Sequence, residues 1–346
     1  MRQYRLEFIE PGRISLKTGP VPQPTTGQVL VQTQLSAISP GTEMLVYRGQ
    51  WPQGVTVDAT QNALTGSFAY PLAYGYCTVG RVIATGPGVR GDWLDRRVFA
   101  FHPHENLFCT HPETLHPIPD DLDDETALFL ANMETAVNLL LDGGPLIGEH
   151  VVVIGQGIVG LLTTNLLARF PLASLTTLDC HPLRREASIR LGADVSLDPA
   201  DPDLFSRLGA LPGQGGQADL VYELSGNPSA LDTALALARC SAKVVIGSWY
   251  GSKKANLELG SFFHRGRLTL ISSQVSSISP ALSSKWQTSR RIDTAWEMLR
   301  QVRPQVYITH RFSLTEASQA YALIDRKPGE TIQVIFEHQS VNTLPP

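Results

Sequence analysis

Gly155-Gln156-Gly157-Ile158-Val159-Gly160 has the spacing of a phosphate cradle. It follows His150-Val151-Val152-Val153-Ile154, an apolar, β-branched run of the length of one buried parallel strand. Gly155 suits a tight turn, Gly157 lets backbone approach a pyrophosphate, and Gly160 lets a helix pack on the strand. Gln156, Ile158 and Val159 complete the cradle. A helix read over Leu161 to Phe170 offers unpaired amides and a partial positive charge to phosphates at its start. A second short strand, Leu175 to Leu178, ends at Asp179, nineteen residues past Gly160. A carboxylate there accepts both ribose hydroxyls of an adenosine and repels a 2′-phosphate, which favours NAD(H) over NADP(H). Arg184 and Arg185 lie close enough in sequence to keep NADP possible. Ser225, Gly247 and Ser248 sit just past further strand ends, where doubly wound folds bind ligands.

A second group of reactive types is His102-Pro103-His104, with Cys109, His111 and His116. The spacing matches no zinc finger or ribbon and prolines interrupt it, so no metal is expected there. His102 or His104 could serve as an acid/base, because a free imidazole titrates near neutrality. Cys77 is a nucleophile only if its thiolate is stabilised, and no partner for it is visible in the sequence.

These residues need elements to hold them. Residues 1 to about 120 read as β-rich, with alternating segments such as Val29–Leu35 and Thr78–Ala84 separated by glycine and proline turns. Residues 50 to 71 have no clear period and read as a long loop over a cleft. Asp123-Asp124-Glu125 suits a helix start, and Ala127 to Leu141 has helical spacing until Gly143-Gly144-Pro145. From there to about 275, strands and helices alternate: strands at Asp219–Leu224, Lys243–Ile246 and Leu268–Ile271, and a helix at Ala230–Ala238. That alternation predicts a doubly wound parallel sheet. Arg291–Val302 and Leu314–Ile324 read as helices, Thr331–Phe336 as a closing strand, and Gln339–Pro346 as a loose tail.

The totals narrow the classes. A chain of 346 residues holds two domains with separate cores. The formal charge of −4, without a long run of one sign, gives no basis for a nucleic-acid or anionic-membrane partner. Cys77, Cys109, Cys180 and Cys240 form no CxxC pair and read as free thiols of a reducing compartment. The first residues lack the apolar core of a signal peptide, and no apolar run reaches the roughly 18 residues of a membrane span. A soluble, cytoplasmic protein is expected.

Together these pieces resemble the medium-chain dehydrogenase/reductase superfamily, the zinc alcohol dehydrogenases and their zinc-free relatives. The resemblance covers nearly the whole chain, including Ile308-Thr-His-Arg-Phe312 before the last helix and strand. It implies an α/β fold with a GroES-like β-barrel domain and a Rossmann doubly wound parallel sheet domain. The boundaries would be 1–132 for the barrel, 133–275 for the dinucleotide-binding domain, and 276–346 for a segment returning to the barrel. The family's active site lies in the cleft between the domains. Ile38-Ser-Pro-Gly-Thr-Glu43 and Gly75-Tyr-Cys-Thr-Val-Gly-Arg-Val82 are similar to the bacteriochlorophyllide hydroxyethyl dehydrogenases. These motifs are short, and they suggest a subfamily rather than a substrate.

The resemblance also assigns roles. The three side chains that hold catalytic zinc in the family correspond here to Pro40, Tyr76 and Ala131, none a usual zinc ligand. Thr42 matches the family's relay hydroxyl, or is simply a barrel-turn threonine. Tyr76 stands where a zinc histidine stood, so its phenol either donates to the substrate oxygen or fills the vacated volume. Glu43 matches a supporting acid. Glu134 and Asn132 precede Thr135, which in the family packs by the nicotinamide, so they face substrate or brace the helix. Arg184 matches a position beside the adenosine. Ser272 to Val275, with Gln274, match the segment whose backbone reaches the nicotinamide amide, and Leu268–Ile271 the strand that pairs across a homodimer.

The expectation is a zinc-independent, NAD(H)-preferring oxidoreductase that moves a hydride between nicotinamide and an alcohol or carbonyl of a small or medium organic substrate. The near alternative is NADPH-dependent reduction of an activated C=C bond, as in quinone and enoyl reductases. The third is a dinucleotide-binding protein without catalysis.

Overall fold

The structure is a computed structural model, and it describes residues 2–52, 54, 69–210 and 217–338. Most of the loop expected over 50–71 and the tail Gln339–Pro346 lie outside the described residues. Two compact units form: Met1–Ala131 with Leu299–Pro346, and Asn132–Met298.

The first unit is built of strands. β1 (Gln3–Glu10) and β2 (Arg13–Gly19) pair as an antiparallel hairpin. β3 (Val29–Ala37) is followed by α1 (Pro40–Tyr47), then β4 (Thr78–Thr85), β5 (Arg97–Ala100), β6 (Leu107–Thr110) and β7 (Leu115–Pro117). The acids at 123–125 do open a helix, with the Asp123 carboxylate accepting the Thr126 amide at 2.6 Å. The single helix expected beyond them is two, α2 (Asp124–Ala127) and α3 (Leu130–Gly143).

The second unit is a parallel sheet. Its elements are β8 (His150–Ile154), α4 (Ile158–Leu167), β9 (Ser174–Leu178), α5 (Pro182–Arg190), β10 (Val195–Leu197), α6 (Leu204–Gly209), β11 (Ala218–Glu223), α7 (Ala230–Leu237), β12 (Ala238–Ile246) and β13 (Thr269–Ser272). α8 (Thr288–Val302) follows them. The strand order β10-β9-β8-β11-β12-β13, parallel throughout, reverses direction between β8 and β11. That is the dinucleotide-binding order, with its ligand crevice at the carboxyl ends of the strands. Residues 276–298, expected with the returning segment, cluster with this unit.

Why the sheet is sandwiched is visible in β8. Val152 and Ile154 join one core with Leu178, Val221 and Val244, under Leu231, Ala234 and Leu235 of α7. Val151 and Val153 join the other core, with Leu139, Leu167, Leu220 and Val245. Alternate residues of a fully apolar strand thus feed both faces.

The chain then returns to the first unit as β14 (Ile308–Ser313), α9 (Ala317–Arg326) and β15 (Gln333–Glu337). β15 pairs with β3, extending the larger sheet to the order β14-β15-β3-β4-β5-β7, with β6 also on β3. Leu6, Phe8, Ile38, Tyr74, Tyr321 and Phe336 share one core here, and Val29, Val31, Val82, Val98 and Phe108 another. Among the described residues, no helix is long and apolar enough to cross a membrane.

α4 begins at Ile158, three residues before the expected start, with Gly157 as its N-cap. A helix can pass this close to β8 only without side chains at two points. A Cβ on Gly160 would lie 1.9 Å from the Gly155 carbonyl oxygen, and one on Gly155 (φ +92°) 2.6 Å from Leu224 backbone. A Cβ on Gly157 would meet nothing within 4 Å. Gly160→Ala should therefore cost at least about 2 kcal/mol of stability in chemical denaturation, from overpacking against backbone. Gly157→Ala should cost less than about 1 kcal/mol, the difference between a glycine and an alanine cap. Equal losses would refute the packing account.

Candidate active site

In the first unit, three hydroxyls meet. Ser39 caps α1, and Pro40 takes the first helical position, where its missing N–H costs nothing. Pro40-Gly41 is thus a helix start, and Thr42 lies on a helix rather than in a barrel turn. The Tyr76 hydroxyl hydrogen-bonds to the Ser39 hydroxyl and donates to Thr42 Oγ1 at 3.2 Å. Burial, above all, pushes the Tyr76 phenol up, Cys77 and Glu43 adding to it, while its bonds to Ser39 and Thr42 oppose the shift. Ser39 was not among the expected site residues. Its signal was its place before Pro40 with an acid four residues on, a helix-start pattern.

Behind these hydroxyls lies a carboxylate with no exposed surface. Glu43 Oε1 accepts the Ser39 amide at 2.8 Å, and Oε2 contacts His104 Nε2 at 2.9 Å and accepts the Tyr321 hydroxyl. His104 Nδ1 bonds Ser36 Oγ at 2.8 Å, and Ser36 Oγ reaches His338 Nε2 at 2.9 Å. Burial, joined by the nearby His104, pushes the His338 imidazole down to about 3. The His104 ring also backs the Tyr76 turn: a Cβ on Gly75 would sit 2.9 Å from it. His104, expected as an acid/base, has both ring nitrogens engaged and no exposed surface. It is a brace for Glu43 and for Gly75-Tyr76, because a proton donor must reach its substrate.

His102, the other expected acid/base, belongs to a different pair. It bonds Glu105 and lies flat on Phe108, with ring centroids 3.7 Å apart and planes 12° apart. Glu105 also accepts Gln3 Nε2 at 2.9 Å.

The side chains at the family's zinc-ligand positions do not form a zinc donor set. Pro40 and Ala131 carry no donor atom, and the Tyr76 hydroxyl is engaged by Ser39 and Thr42. Beside them Cys77 is buried, and burial and Glu43 hold its thiol well above the ordinary range, away from the thiolate that metals bind. Asp179, Cys180 and His181 do bring one donor atom each within 4.8 Å of one another, at the end of β9. Both Asp179 oxygens there already accept backbone amides, of Gln156 at 2.7 Å and His181 at 2.8 Å.

The second unit carries the residues expected at a dinucleotide. Gly157 supplies no side-chain cap to α4, so the first amides of the helix have no intrahelical partner. Gln156 turns its side chain inward, to the carbonyls of Val153 and Gly155 and to Thr164. Its part in the cradle is its backbone, which the Asp179 carboxylate holds. Ile158 is buried and Val159 half-buried in the first turn, where Thr163 Oγ1 bonds the Val159 carbonyl. Arg184 Nη1 lies 4.0 Å from Asp179, and Arg185 is committed to Asp198 at 3.1 Å and to the Asp179 carbonyl at 2.8 Å.

At the carboxyl end of β11, buried Glu223 accepts the amide and hydroxyl of Ser225 and the hydroxyl of Tyr250. Ser248 Oγ accepts the Gly226 amide at 2.8 Å, and the Gly247 amide donates to the Glu223 carbonyl at 3.1 Å. Ser225, Gly247 and Ser248 thus fasten two strand-end loops together. Thr135 is half-buried on α3, Ser272 is the exposed last residue of β13, and the Gln274 side chain curls back to Ser276.

Known proteins resemble the chain in sequence and in fold. Residues 159–292 match a family described as zinc-binding dehydrogenase. The D-guloside 3-dehydrogenase of Escherichia coli K12 is 23% identical over 288 residues, spanning 79% of this chain and 81% of the relative. An alcohol dehydrogenase from Escherichia coli CFT073, solved with NADH, shares the fold at a TM-score of 0.76 and 19% identity, over 97% of this chain and 99% of that one. A presumed zinc-binding dehydrogenase from Sinorhizobium meliloti 1021, bound to NADP, does so at 0.76 and 18%, with the same coverage. With the β8-glycine-α4 cradle and the strand order already described, these matches make residues 159–292 similar to the zinc-binding dehydrogenase family and the whole chain similar in fold to dehydrogenases solved with NADH or NADP.

Proposed function

We propose that the protein is a zinc-independent oxidoreductase that prefers NAD(H) and acts on an alcohol or carbonyl of a small or medium organic substrate. The observation that carries this reading is the meeting of the Tyr76, Ser39 and Thr42 hydroxyls where the family's zinc histidine would stand. The nicotinamide, when bound, supplies or takes the hydride. In reduction, Tyr76 donates its proton to the carbonyl oxygen as that oxygen becomes an alcohol. The proton that Tyr76 gives up is replaced from water by way of Thr42, which takes one proton as it passes another on, and Ser39 holds the phenol in place. A phenol is already protonated at neutral pH, and the upward push on Tyr76 leaves it so. Glu43 and His104 act through α1 and the Gly75 turn, orienting these hydroxyls without meeting the substrate.

On the cofactor side, open space at Gly157 admits a pyrophosphate to the start of α4. Asp179 takes the adenosine ribose, and the commitment of Arg185 to Asp198 supports NAD(H) over NADP(H). Thr135, Ser225, Gly247, Ser248, Ser272 and Gln274 serve the nicotinamide half. Relatives named for guloside, sorbitol and idonate direct a first screen to secondary hydroxyls of polyhydroxylated compounds. β13, the edge strand of its sheet, is where a second copy would pair to give a homodimer.

Three measurements test this reading. Tyr76→Phe should lower turnover about a hundredfold, the usual worth of a general acid, and leave NADH affinity nearly unchanged; undiminished turnover would reduce Tyr76 to packing. NADH should quench tryptophan fluorescence at lower concentration than NADPH, and the reverse order would overturn the cofactor preference. Elemental analysis of the active protein should find far less than one zinc per chain, and stoichiometric zinc would refute the proton path.

A further inference from the structure

Arg291 is a buried cation that none of the roles above uses: it is 1% exposed, near the start of α8. Its guanidinium donates to Glu134 Oε1 from Nε at 3.0 Å and from Nη2 at 2.8 Å. Nη1 donates to Asn138 Oδ1 at 2.6 Å and to the Ser277 carbonyl at 3.2 Å, and Nη2 also reaches the Val275 carbonyl. Glu134, Asn138 and Asp142 are spaced by four residues and so form one stripe along α3. The far end of the stripe holds the same segment. Ser273 Oγ donates to Asp142 Oδ2 at 2.6 Å and accepts from Asn138 Nδ2 at 3.1 Å, while the Ser273 amide bonds the Ile246 carbonyl at 2.9 Å. Backbone that leaves β13 is thus fixed at three points: Ser273 by the stripe, and the Val275 and Ser277 carbonyls by the guanidinium fork. Burial pushes the Glu134 carboxyl up, and Arg291 opposes the shift.

The place of this segment gives the clamp a purpose. Ligands of doubly wound sheets lie at the carboxyl ends of the strands, across the point where the order reverses. Asp179, at the end of β9, claims the β8-β9-β10 half for adenosine. The other half, β11-β12-β13, is left for the remainder of the dinucleotide, and residues 273–277 stand at its last strand end.

We propose that Arg291 is a positioning residue for the nicotinamide half of the dinucleotide, fixing the Ser273–Ser277 backbone against the α3 stripe so that it meets the nicotinamide preformed. This rests on the dinucleotide-binding role proposed above. Preforming a contact segment removes its ordering cost from binding, and a looser segment restores that cost. Lysine keeps the charge of Arg291 but loses the planar fork that holds several acceptors at once.

The test compares two ligands by titration calorimetry: NADH, and ADP-ribose, which lacks the nicotinamide. Arg291→Lys should weaken NADH about tenfold, which corresponds to about 1.4 kcal/mol, and change ADP-ribose by less than about twofold. Ser273→Ala, which leaves the ion pair intact, should shift NADH in the same direction by a smaller factor, again sparing ADP-ribose. Equal weakening of both ligands, or unchanged NADH affinity in a folded Arg291→Lys, would overturn the proposal. If Arg291→Lys does not fold, Ser273→Ala decides: a selective loss of NADH affinity supports the clamp, and none refutes it. A wild-type protein that binds neither ligand would instead sink the dinucleotide reading itself.

Discussion

The first unit is organised around the burial of one carboxylate. Glu43 has no surface in contact with water, and a buried charge is tolerated only when donors replace its hydration. Those donors come from scattered places: the Ser39 amide ahead of α1, His104 in the loop before β6, and Tyr321 on α9. Removing one partner from such a group typically costs about 3–5 kcal/mol, so α1, the 101–106 loop and the returning helix are obliged to assemble together. The position of the Ser39, Thr42 and Tyr76 hydroxyls follows from that assembly. Ser39 and Thr42 ride on the helix whose start Glu43 ties down, and Tyr76 follows the glycine that the His104 ring touches.

The second unit uses carboxylates in the same structural way. Asp179 fastens the glycine turn by accepting the Gln156 amide, and Glu223 gathers the Ser225 loop. Each therefore stabilises the fold before any ligand arrives. Charge-assisted bonds to backbone amides are stronger and shorter than neutral ones, which makes them effective at setting loops at strand ends. A rigid cradle suits a cofactor whose two halves must be gripped at a fixed separation.

How much of this was legible in the sequence depends on the distance over which each cause acts. The β8-glycine-α4 unit was legible because its logic is local: an apolar run, then glycines at the spacing that a strand-to-helix approach requires. Asp179 was legible for the same reason. α1 was legible only in its start signal, Ser39 before Pro40, because what fixes it is a carboxylate kept dry by His104 and Tyr321, 61 and 278 positions away. His104 and His102 looked alike in sequence. They separate only once Ser36, Glu43 and His338 surround one and Glu105 and Phe108 hold the other. Arg291 passed unnoticed on an ordinary amphipathic helix, since nothing local marks an arginine that will bury itself against a stripe on α3.

The pairing of β15 with β3 joins Ile335 to Ala37, nearly the length of the chain apart. Asn132–Met298 is one uninterrupted stretch, and its contacts can all be made as soon as that stretch leaves the ribosome. The barrel-like unit cannot finish until Gln333–Glu337 is synthesised, because closing so long a loop must precede any reward from the contacts it makes. During translation the early strand β3 therefore waits with part of its edge unfilled while the second unit is already folded. A chain cut short before residue 333 would carry that edge permanently, exposed to pairing with other chains.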